Sequence, residues 1–429
     1  MQQLLLFGAG KSATSLIRYL IDVAAGRGWR LIVAESNLAL AESKIGNAPH
    51  ARAVQVDVAN EDERNTLVSQ AAIVISLLPP ALHFLVARSC IAAKKNLLTA
   101  SYVDDRIRAL EPEIRDNGLL FLCEMGLDPG IDHMSALQLI SAIKQDDGHI
   151  FSFLSHTGGL VAPESDDNPW HYKISWNPRN VVLAGSAGAS YREKGRTVNI
   201  PYTSLFGSTG TIQLPETGPL AWYPNRDSLS YIPIYGLQET ETFIRTTLRY
   251  PMFCEAWNCF VQAGLTDDSR QLARGLSFAD WSGPLLPYIT AGNRSLFDYL
   301  GVFDPGPIPS AASTSADVLQ HLLETRLAMS PQDKDMIVMQ HEIGFLKAGK
   351  RFTEKSTLVV KGEDSLHTAM ARTVGLPLGI AAKLMLEGKL SLKGLHIPIL
   401  PEIYNPVLKE LDEQGIRFER DLSTAAPGQ

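Results

Sequence analysis

The feature that most constrains this chain is a glycine-rich hexapeptide that follows an apolar, strand-like run without a gap. The run Leu4 to Phe7 leads directly into Gly8-Ala9-Gly10-Lys11-Ser12-Ala13, and a helix-like stretch follows. This spacing is the G-x-G-x-x-A variant of the dinucleotide-binding fingerprint, in which Gly8 permits a tight turn, Gly10 lets a pyrophosphate approach, and Ala13 lets the helix pack closely. It predicts nucleotide phosphates at a helix N-terminus, bound by Gly8, Gly10, Lys11, Ser12 and Ala13. The alternative is a glycine turn in an α/β fold that binds no nucleotide.

Short apolar runs alternate with helix-like stretches over the first 130 residues. Six runs are predicted as strands: Leu4 to Phe7, Leu31 to Ala34, Ala53 to Val56, Ile73 to Leu77, Leu97 to Thr99 and Leu119 to Leu122. Strands that alternate with helices form parallel sheets with crossover helices. The sequence therefore predicts an α/β fold with a Rossmann-type doubly wound parallel sheet over residues 1–130.

Beyond residue 130 the sequence changes in character. Residues 131–250 are rich in Gly, Ser and aromatic residues and are predicted to form a mixed α/β substrate domain, whereas residues 251–330 favour a small helical domain. Residues 331–429 are predicted to return to the substrate and Rossmann domains, with a hairpin turn at Ala348-Gly349-Lys350. Ser330-Pro331 is predicted to begin a helix, because serine is a good N-cap and proline a good first helical residue.

Composition argues against several classes of protein. The chain has 429 residues, well above the roughly 150 of one domain, and its 39 basic and 46 acidic residues give a net charge of -7. It has no bulk basic field to attract nucleic acid or anionic lipid, and no apolar run that reaches the roughly 18 residues of a membrane helix. The four cysteines show no CxxC spacing, so we expect no metal site and no disulfide framework, and we predict a cytoplasmic protein. The oligomeric state stays open, with a homodimer as one possibility.

Glu35 lies at the end of the second predicted strand, where an acidic side chain accepts hydrogen bonds from the adenosine ribose hydroxyls. This position favours NAD, because a carboxylate repels the 2′-phosphate of NADP. Lys11, Ser36 and Asn37 are close enough in sequence to reduce that repulsion, and a solvated glutamate at a strand end is the other alternative. The strand ends supply the remaining candidate cofactor residues, since ligands bind there in open α/β sheets: Ser36, Asp57, Val58 and Leu77.

Four segments combine polar groups in a way that differs from ordinary core or surface: Thr99 to Tyr102, Glu124 to His133, Gly158 to Arg179 and Tyr223 to Asp227. The first two follow the fifth and sixth predicted strands, so they are expected to face the nicotinamide, where proton transfer accompanies hydride transfer. Tyr102 and Asp128 are the candidate catalytic residues, and the alternatives are a packed aromatic and a turn residue. We expect Asp132 and His133 to cap the following helix rather than to take part in catalysis.

Three arginines, Arg226, Arg245 and Arg249, are predicted to form a cluster in the second domain. Arginine binds carboxylates through two parallel hydrogen bonds, so such a cluster suits a substrate with several carboxylates, while surface salt bridges are the alternative. The chain has no HExxH, paired Cys/His spacing or GxSxG motif, so zinc and serine hydrolases are not indicated. The predicted partner is a small anionic molecule.

With these motifs in this order, the sequence resembles the saccharopine dehydrogenases of the glutamate-forming type, also called saccharopine reductases. The likeness extends through most of the chain. The motifs that carry it are Gly8-Ala9-Gly10, Ser101-Tyr102-Val103, Glu124, Gly126 to His133, Gly158-Gly159-Leu160, Ala162-Pro163-Glu164, Asn168-Pro169, Tyr172-Lys173, Ser175-Trp176, Tyr223 to Ser228, Thr247 to Tyr250, Ala369-Met370-Ala371 and Thr373 to Pro377.

The resemblance implies a three-domain enzyme of lysine metabolism that interconverts saccharopine with L-glutamate and 2-aminoadipate 6-semialdehyde by NAD(P)-dependent hydride transfer and imine hydrolysis. It places cofactor contacts on Leu127, Asp128 and Pro129, and substrate contacts on Ser101, Tyr102, Arg226, Thr247, Leu248 and Arg249. NADP-using members carry an arginine at the end of the second strand, which Glu35-Ser36-Asn37 lacks, so NAD is favoured. The alternatives are a related imine-reducing dehydrogenase of the carboxynorspermidine type and a non-catalytic nucleotide-binding regulatory protein.

Overall fold

The computed structural model describes residues 1–424, so the last five residues of the predicted C-terminal return lie outside the described residues. The strands are β1 (Gln3–Phe7), β2 (Arg30–Glu35), β3 (Ala51–Gln55), β4 (Ile73–Ser76), β5 (Asn96–Thr99), β6 (Leu120–Leu122), β7 (His149–Val161), β8 (Ala189–Glu193), β9 (Arg196–Ile200), β10 (Gly210–Leu214), β11 (Gly218–Pro224), β12 (Arg226–Asp227), β13 (Thr242–Arg249), β14 (Asp335–Lys347), β15 (Lys350–Lys361), β16 (Gly394–His396) and β17 (Glu419–Thr424). The helices are α1 (Thr14–Arg27), α2 (Leu38–Ile45), α3 (Glu61–Gln70), α4 (Pro80–Ala92), α5 (Asp105–Arg108), α6 (Glu111–Asp116), α7 (Ile131–Gln145), α8 (Pro178–Val182), α9 (Tyr202–Leu205), α10 (Tyr231–Ile234), α11 (Pro251–Gln262), α12 (Phe278–Trp281), α13 (Arg294–Leu300), α14 (Ser315–Arg326), α15 (Ala369–Leu386) and α16 (Pro401–Glu413).

The chain divides into two compact units, each assembled from separate stretches of sequence. The first unit contains residues 1–142 and 366–417, and the second contains residues 143–365 and, of the described residues, 418–424. The sequence predicted the first boundary at residue 130, whereas the structure keeps most of α7 with the first unit. The helical stretch 251–330 belongs to the second unit, where its side chains share one hydrophobic core with Trp170 and Tyr172.

The first unit is built on a seven-stranded sheet in the order β16-β6-β5-β4-β1-β2-β3, with all neighbours parallel. The order reverses between β1 and β4, and the carboxyl ends of those two strands form the point where open α/β sheets bind ligands. The six predicted strands and the doubly wound parallel sheet are confirmed. Strand β16 was missed, because three residues are too few to show a period.

One helix of the first unit, α15, is long and apolar enough, by length and composition, to cross a membrane, and 78% of it is buried inside the protein. It approaches α1 closely at two glycines. A Cβ on Gly375 would lie 2.9 Å from the Leu16 backbone nitrogen, and one on Gly379 would lie 2.6 Å from the Tyr19 ring. No apolar run of this length is predicted from the sequence, and the burial of α15 against α1 is that of a core helix.

The second unit contains a ten-stranded mixed sheet whose main path is β10-β11-β13-β7-β14-β15-β17, with β8, β9 and β12 at one side. Strands β14 and β15 pair along their whole length as an antiparallel hairpin. The turn residues Ala348 and Gly349 both have positive φ, of 48° and 74°, as tight hairpin turns require. The predicted hairpin is therefore confirmed.

The predicted helix start at Ser330-Pro331 is wrong. Helix α14 ends at Arg326, and these residues form a turn that leads into β14. The Ser330 N–H donates to the Asp333 carboxylate at 2.6 Å, while the Asp333 N–H donates to the Ser330 carbonyl at 3.0 Å. Asp333 thus closes a turn before a β-branched, apolar run that favours a strand, and the local N-cap pattern is overridden.

Candidate active site

The fingerprint residues form a tight turn at the carboxyl end of β1. Gly8 has a φ of 98°, and a Cβ at this position would lie 2.7 Å from the Leu77 carbonyl oxygen at the end of β4, so a larger residue would clash. A Cβ on Gly10 would meet no protein atom within 4 Å, which leaves open space beside the turn. Residues Lys11–Ala13 make one 3-10 turn before α1 begins. This geometry leaves room for a pyrophosphate against the backbone of the turn.

Glu35 holds the end of β2 against the glycine turn. One carboxylate oxygen accepts a hydrogen bond from the Ala9 N–H at 2.7 Å, and the other accepts from the Ser36 N–H and hydroxyl, both at 2.9 Å. Burial of the side chain opposes ionisation, but these hydrogen bonds and one from the Asn37 N–H outweigh it and lower the pKa of Glu35. The carboxylate is therefore ionised at neutral pH and lies beside the turn.

A cation that the sequence analysis missed also lies at this turn. The Lys44 ammonium, from the last turn of α2, donates to the Gly10 carbonyl oxygen. Burial lowers the pKa of Lys44 to about 8, although the nearby Glu35 carboxylate acts in the opposite direction. Nothing in the local sequence signals this contact, because it depends on how α2 packs beside the turn.

Asp57 and Val58 follow β3, as predicted, and make local contacts. One Asp57 carboxylate oxygen accepts from the Ala59 N–H at 2.9 Å, which closes a turn. The side chain of Val58 is buried, and its carbonyl accepts a hydrogen bond from the buried Arg64 guanidinium. Both residues lie near the carboxyl edge of the sheet, with Asp57 exposed and Val58 in the core.

Tyr102 and Asp128 meet at the carboxyl edge of the first unit. Tyr102 follows β5 and Asp128 follows β6, and the Tyr102 hydroxyl donates to an Asp128 carboxylate oxygen at 3.0 Å. Both side chains are half-buried. The loop that carries Asp128 is closed by a hydrogen bond from the Gly126 N–H to the Pro129 carbonyl at 2.9 Å, and Leu127 is buried within it. The structure thus brings both candidate catalytic residues into one hydrogen-bonded pair that can share or transfer a proton.

The loop after β6 and the start of α7 also carry a buried group of ionisable side chains, Glu124, Asp132 and His133. The His133 Nε2 atom is 2.9 Å from one Glu124 carboxylate oxygen, and the other oxygen accepts from the Val103 N–H at 3.1 Å. Asp132 accepts a hydrogen bond from the Gly130 N–H at 2.6 Å, so its carboxylate reaches back into the loop. These contacts join the loops after β5 and β6. The sequence analysis expected helix capping from Asp132 and His133 and did not anticipate the pairing of Glu124 with His133.

A second hydrogen-bonded chain reaches Ser101, the residue next to Tyr102. The Nδ1 atom of buried His83 is 2.8 Å from the Ser76 hydroxyl, and its Nε2 atom is 2.8 Å from the Ser101 hydroxyl. Burial lowers the pKa of His83 to about 4, with the Asp104 carboxylate opposing the shift. Sequence reasoning missed His83, because one histidine in an apolar helix is not distinguished from core.

The candidate substrate residues on β13 lie in the second unit. Arg249 is buried with 4% of its surface exposed, and its guanidinium lies over the rings of Tyr172 and Phe253 at 5.3 and 5.4 Å. It donates to the Leu248 carbonyl at 2.7 Å, whereas its Nε atom has no hydrogen-bond partner within residues 1–424. Arg249 is therefore a buried cation whose hydrogen-bonding capacity is incompletely used.

The other predicted arginines have different surroundings. The Arg245 guanidinium lies over the Tyr231 ring at 4.3 Å, and Arg226 is exposed on β12 with a positive φ of 51°. Arg245 and Arg249 point to the same face of β13, but four residues of strand separate their Cα atoms by roughly 13 Å. The sequence shows the separation of four residues, but not that both arginines lie on one extended strand. The structure places these two guanidinium groups on separate aromatic rings.

The remaining two candidates on β13 also differ. Thr247 is half-buried on the same face as Arg249, while Leu248 points to the opposite face and is fully buried. Leu248 packs so tightly on β7 that a Cβ on Gly158 would lie 2.6 Å from it. A contact from Leu248 to a ligand would therefore have to use its backbone. Ser101, Tyr102 and Asp128 belong to the first unit, whereas Arg226, Arg245 and Arg249 belong to the second.

Two consecutive regions of the chain match domains of one known protein family. Residues 4–122 match the saccharopine dehydrogenase NADP binding domain, and residues 126–416 match the saccharopine dehydrogenase C-terminal domain. The chain is 34% identical to saccharopine dehydrogenase (NADP(+), L-glutamate-forming) of Saccharomyces cerevisiae, over 97% of this chain and 98% of that one. It is 33% identical to mitochondrial alpha-aminoadipic semialdehyde synthase of Bos taurus, but spans only 47% of that protein.

A solved structure of a saccharopine dehydrogenase also superposes on nearly the whole chain. Apo saccharopine dehydrogenase (L-Glu forming) from Saccharomyces cerevisiae superposes with a TM-score of 0.88 at 32% identity, covering 99% of this chain and 100% of that one. Homospermidine synthase from Legionella pneumophila, solved with NAD, gives a TM-score of 0.60 at 8% identity, covering 100% of this chain and 93% of that one. At that identity the second likeness shows a shared fold and nothing further.

Proposed function

Because the chain belongs to the saccharopine dehydrogenase family, we propose that it interconverts saccharopine with L-glutamate and 2-aminoadipate 6-semialdehyde, as an oxidoreductase of lysine metabolism. The observation that carries the proposal is the full-length likeness to the yeast glutamate-forming enzyme, with the Tyr102–Asp128 pair on the edge of the sheet that holds the fingerprint turn. The nicotinamide, when bound, takes up or releases the hydride. The division into nucleotide, substrate and helical regions is part of the same proposal.

We assign the proton transfers to the Tyr102–Asp128 pair. Oxidation of the secondary amine to an imine releases one proton. Hydrolysis of the imine adds water to the carbon and moves a proton from that water to the amine nitrogen, which leaves as the carbon–nitrogen bond breaks. The Asp128 carboxylate accepts a hydrogen bond from the Tyr102 phenol, so a proton gained on one side of the pair can be shared across it. Both reaction directions then use the same two groups.

Arg249 supports a substrate with several carboxylates. A buried guanidinium without a charged partner is costly, and a carboxylate that forms two parallel hydrogen bonds offsets that cost. Within residues 1–424, no carboxylate pairs with Arg249, and its Nε atom is unpartnered. We therefore assign one saccharopine carboxylate to Arg249, with Thr247 and the Leu248 backbone beside it, and we keep Arg226 as a further substrate contact.

The nucleotide is assigned to the turn at Gly8 to Ala13, with NAD preferred over NADP. The ionised Glu35 carboxylate lies where the adenosine ribose is expected, and it accepts a ribose hydroxyl more readily than it tolerates a 2′-phosphate. The Lys44 ammonium at Gly10 reduces this repulsion, so we expect a preference rather than an exclusion. Ser36, Asp57, Leu77 and the Leu127 to Pro129 loop are the further cofactor contacts of the proposal.

The compartment and the assembly stay predictions. The four cysteines are free and buried, which suits the cytoplasmic location that the sequence predicts. A small tricarboxylate amino acid is the proposed partner, and a homodimer is compatible with the sequence. Size-exclusion chromatography with light scattering measures the assembly directly.

The test is an initial-rate assay of the purified protein with saccharopine and either NAD or NADP, following the absorbance of the reduced nicotinamide. We expect reduction of both nucleotides with a higher kcat/KM for NAD. Absence of reduction with either would overturn the proposed activity, whereas preference for NADP would overturn only the role of Glu35. A polyamine precursor that replaced saccharopine as substrate would favour the carboxynorspermidine-type alternative.

A further inference from the structure

The chain Ser76–His83–Ser101 in the first unit determines which way the Ser101 hydroxyl can donate. Ser76 is the last residue of β4, His83 lies near the start of α4, and Ser101 follows β5 directly before Tyr102. The two side-chain contacts of His83 are both 2.8 Å. Ser76 is fully buried and His83 is 4% exposed, while Ser101 is half-buried at the carboxyl edge.

The imidazole of His83 is neutral at physiological pH, because burial holds its pKa near 4. A neutral imidazole has one N–H donor and one acceptor nitrogen, and the two arrangements give the neighbouring hydroxyls opposite roles. The tautomer of His83 therefore decides whether Ser101 donates a proton to the histidine or keeps it for another partner.

The surroundings of Ser76 select one tautomer. Among residues 1–424, the Ser76 hydroxyl has a single hydrogen-bond partner, the Nδ1 atom of His83. A buried hydroxyl proton without an acceptor is costly, so the Ser76 proton points to Nδ1. Nδ1 is then the acceptor, and the ring proton lies on Nε2, where it donates to the Ser101 oxygen.

We propose that His83 is a positioning residue that fixes the Ser101 hydroxyl as a hydrogen-bond donor toward a carboxylate of the substrate. The Ser101 oxygen receives the proton of His83, and its own O–H has no acceptor within the described chain. The hydroxyl is thus directed toward a ligand acceptor beside the Tyr102–Asp128 pair. A donor at this place favours a carboxylate and disfavours a substrate ammonium. The inference rests on the proposed function, which supplies the carboxylate.

The main test is a comparison of saccharopine binding between variants of His83, measured by calorimetry. His83→Phe keeps a planar ring and removes both nitrogens, so the saccharopine Kd should rise by about tenfold, as expected for a lost hydrogen bond to a charged group. His83→Gln retains an amide donor that can reach Ser101 and should recover most of the affinity. The Kd for NADH should change by less than about twofold, since the effect is confined to the substrate.

A double-mutant cycle separates positioning from simple support of the fold. If His83 acts through Ser101, then Ser101→Ala alone should weaken saccharopine binding as much as the double variant His83→Phe/Ser101→Ala. The matched control is Ser89→Ala on the same helix, which loses contacts to Arg64 and Asn65 but touches neither Ser76 nor Ser101. This control should lower thermal stability without changing the saccharopine Kd.

The tautomer itself is read from nitrogen-15 NMR of the His83 ring in the whole protein. A proton on Nε2 supports the inference, and a proton on Nδ1 overturns it, whatever the substrate proves to be. If the wild type binds saccharopine and His83→Phe binds it equally well, or if only NADH binding weakens, the inference is overturned and the proposed function stands. If the wild type binds no saccharopine, the proposed function fails and the substrate part of the inference fails with it.

Discussion

Polar side chains at the carboxyl edge of the first unit and the buried Arg249 on strand β13 of the second differ in how far they are paired within the protein. At the edge, Glu35, His83 and Glu124 all have partners within the protein. On β13, the buried Arg249 has no carboxylate partner in the described chain, and its Nε atom is unpartnered. A site whose groups are already paired is preorganised for orienting a nucleotide and moving protons. A buried cation without a counter-charge is suited to receiving an anion, and under the proposed function this difference would give the two units different tasks.

The largest effect should come from breaking the Tyr102–Asp128 pair, to which the proposed function assigns the proton transfers. Asp128→Asn removes the carboxylate but keeps its shape, and kcat for saccharopine oxidation should fall roughly a thousandfold, within the range of general acid–base catalysis. In Tyr102→Phe, kcat should fall less, because the Asp128 carboxylate remains. Steady-state kinetics measures both. Asp105→Asn, at an exposed carboxylate in α5, is the matched control, and an equal loss of kcat in that variant would contradict the assignment.

Arg249→Met tests the other side of the comparison. The kcat/KM for saccharopine should fall about a hundredfold, mainly through KM, because a charge-assisted contact is lost. Stability to urea should stay the same or rise, since an unpaired buried charge is removed. Arg64→Met is the contrasting variant, because Arg64 is equally buried but donates to Ser89 and Val58, so its loss should destabilise. If Arg249→Met is destabilised as strongly as Arg64→Met, then Arg249 has a structural role and the comparison fails.

The pH dependence of stability provides a third test. The pKa of His83 is about 4 in the folded protein, below the unfolded value of roughly 6.5. Between these values the unfolded chain binds more protons than the folded protein. The contribution of neutral His83 to the free energy of unfolding is therefore fully present above about pH 6.5 and is lost as the pH falls toward 4. From pH 7 to pH 5, wild type should lose about 2 kcal/mol more unfolding free energy than His83→Phe.

Urea unfolding at the two pH values measures this difference. Buried His156 of the second unit, whose pKa burial lowers to about 3, is present in both proteins and its contribution cancels. Equal losses in wild type and His83→Phe would show that His83 is protonated as easily in the folded protein as in the unfolded chain.

The smallest expected effect is a change in the preference between NAD and NADP. Glu35→Gln removes the charge and should shift the ratio of kcat/KM values about tenfold toward NADP, because the repulsion of the 2′-phosphate is lost. The ratio is measured with saccharopine at saturation. Lys44→Met should shift it the other way, since the ammonium beside Gly10 offsets the negative charge of Glu35. Equal changes for the two nucleotides in both variants would contradict the proposed preference.

Local signals in the sequence were sufficient for the six predicted strands of the parallel sheet and for the β14–β15 hairpin, and insufficient for contacts between distant segments in either unit. The fingerprint and its strands were predicted, because a glycine turn and buried apolar runs depend on neighbouring residues. Ser330 was wrongly predicted to begin a helix, because an N-cap residue does not start a helix where Asp333 closes a turn with it. The contacts of His83, Lys44 and Arg249 depend on how distant segments pack, and no spacing along the chain encodes them. Within the predicted arginine cluster, strand geometry separates Arg245 from Arg249.

The most direct test of the central claim is the product balance of saccharopine oxidation. Purified protein, saccharopine and NAD should yield one L-glutamate for each reduced nicotinamide formed, with the semialdehyde in equal amount, since one hydride transfer precedes each hydrolysis. Liquid chromatography of the products with the absorbance of the reduced nucleotide measures both quantities. Reduced nucleotide without L-glutamate, or no reduction with either nucleotide, would contradict the account.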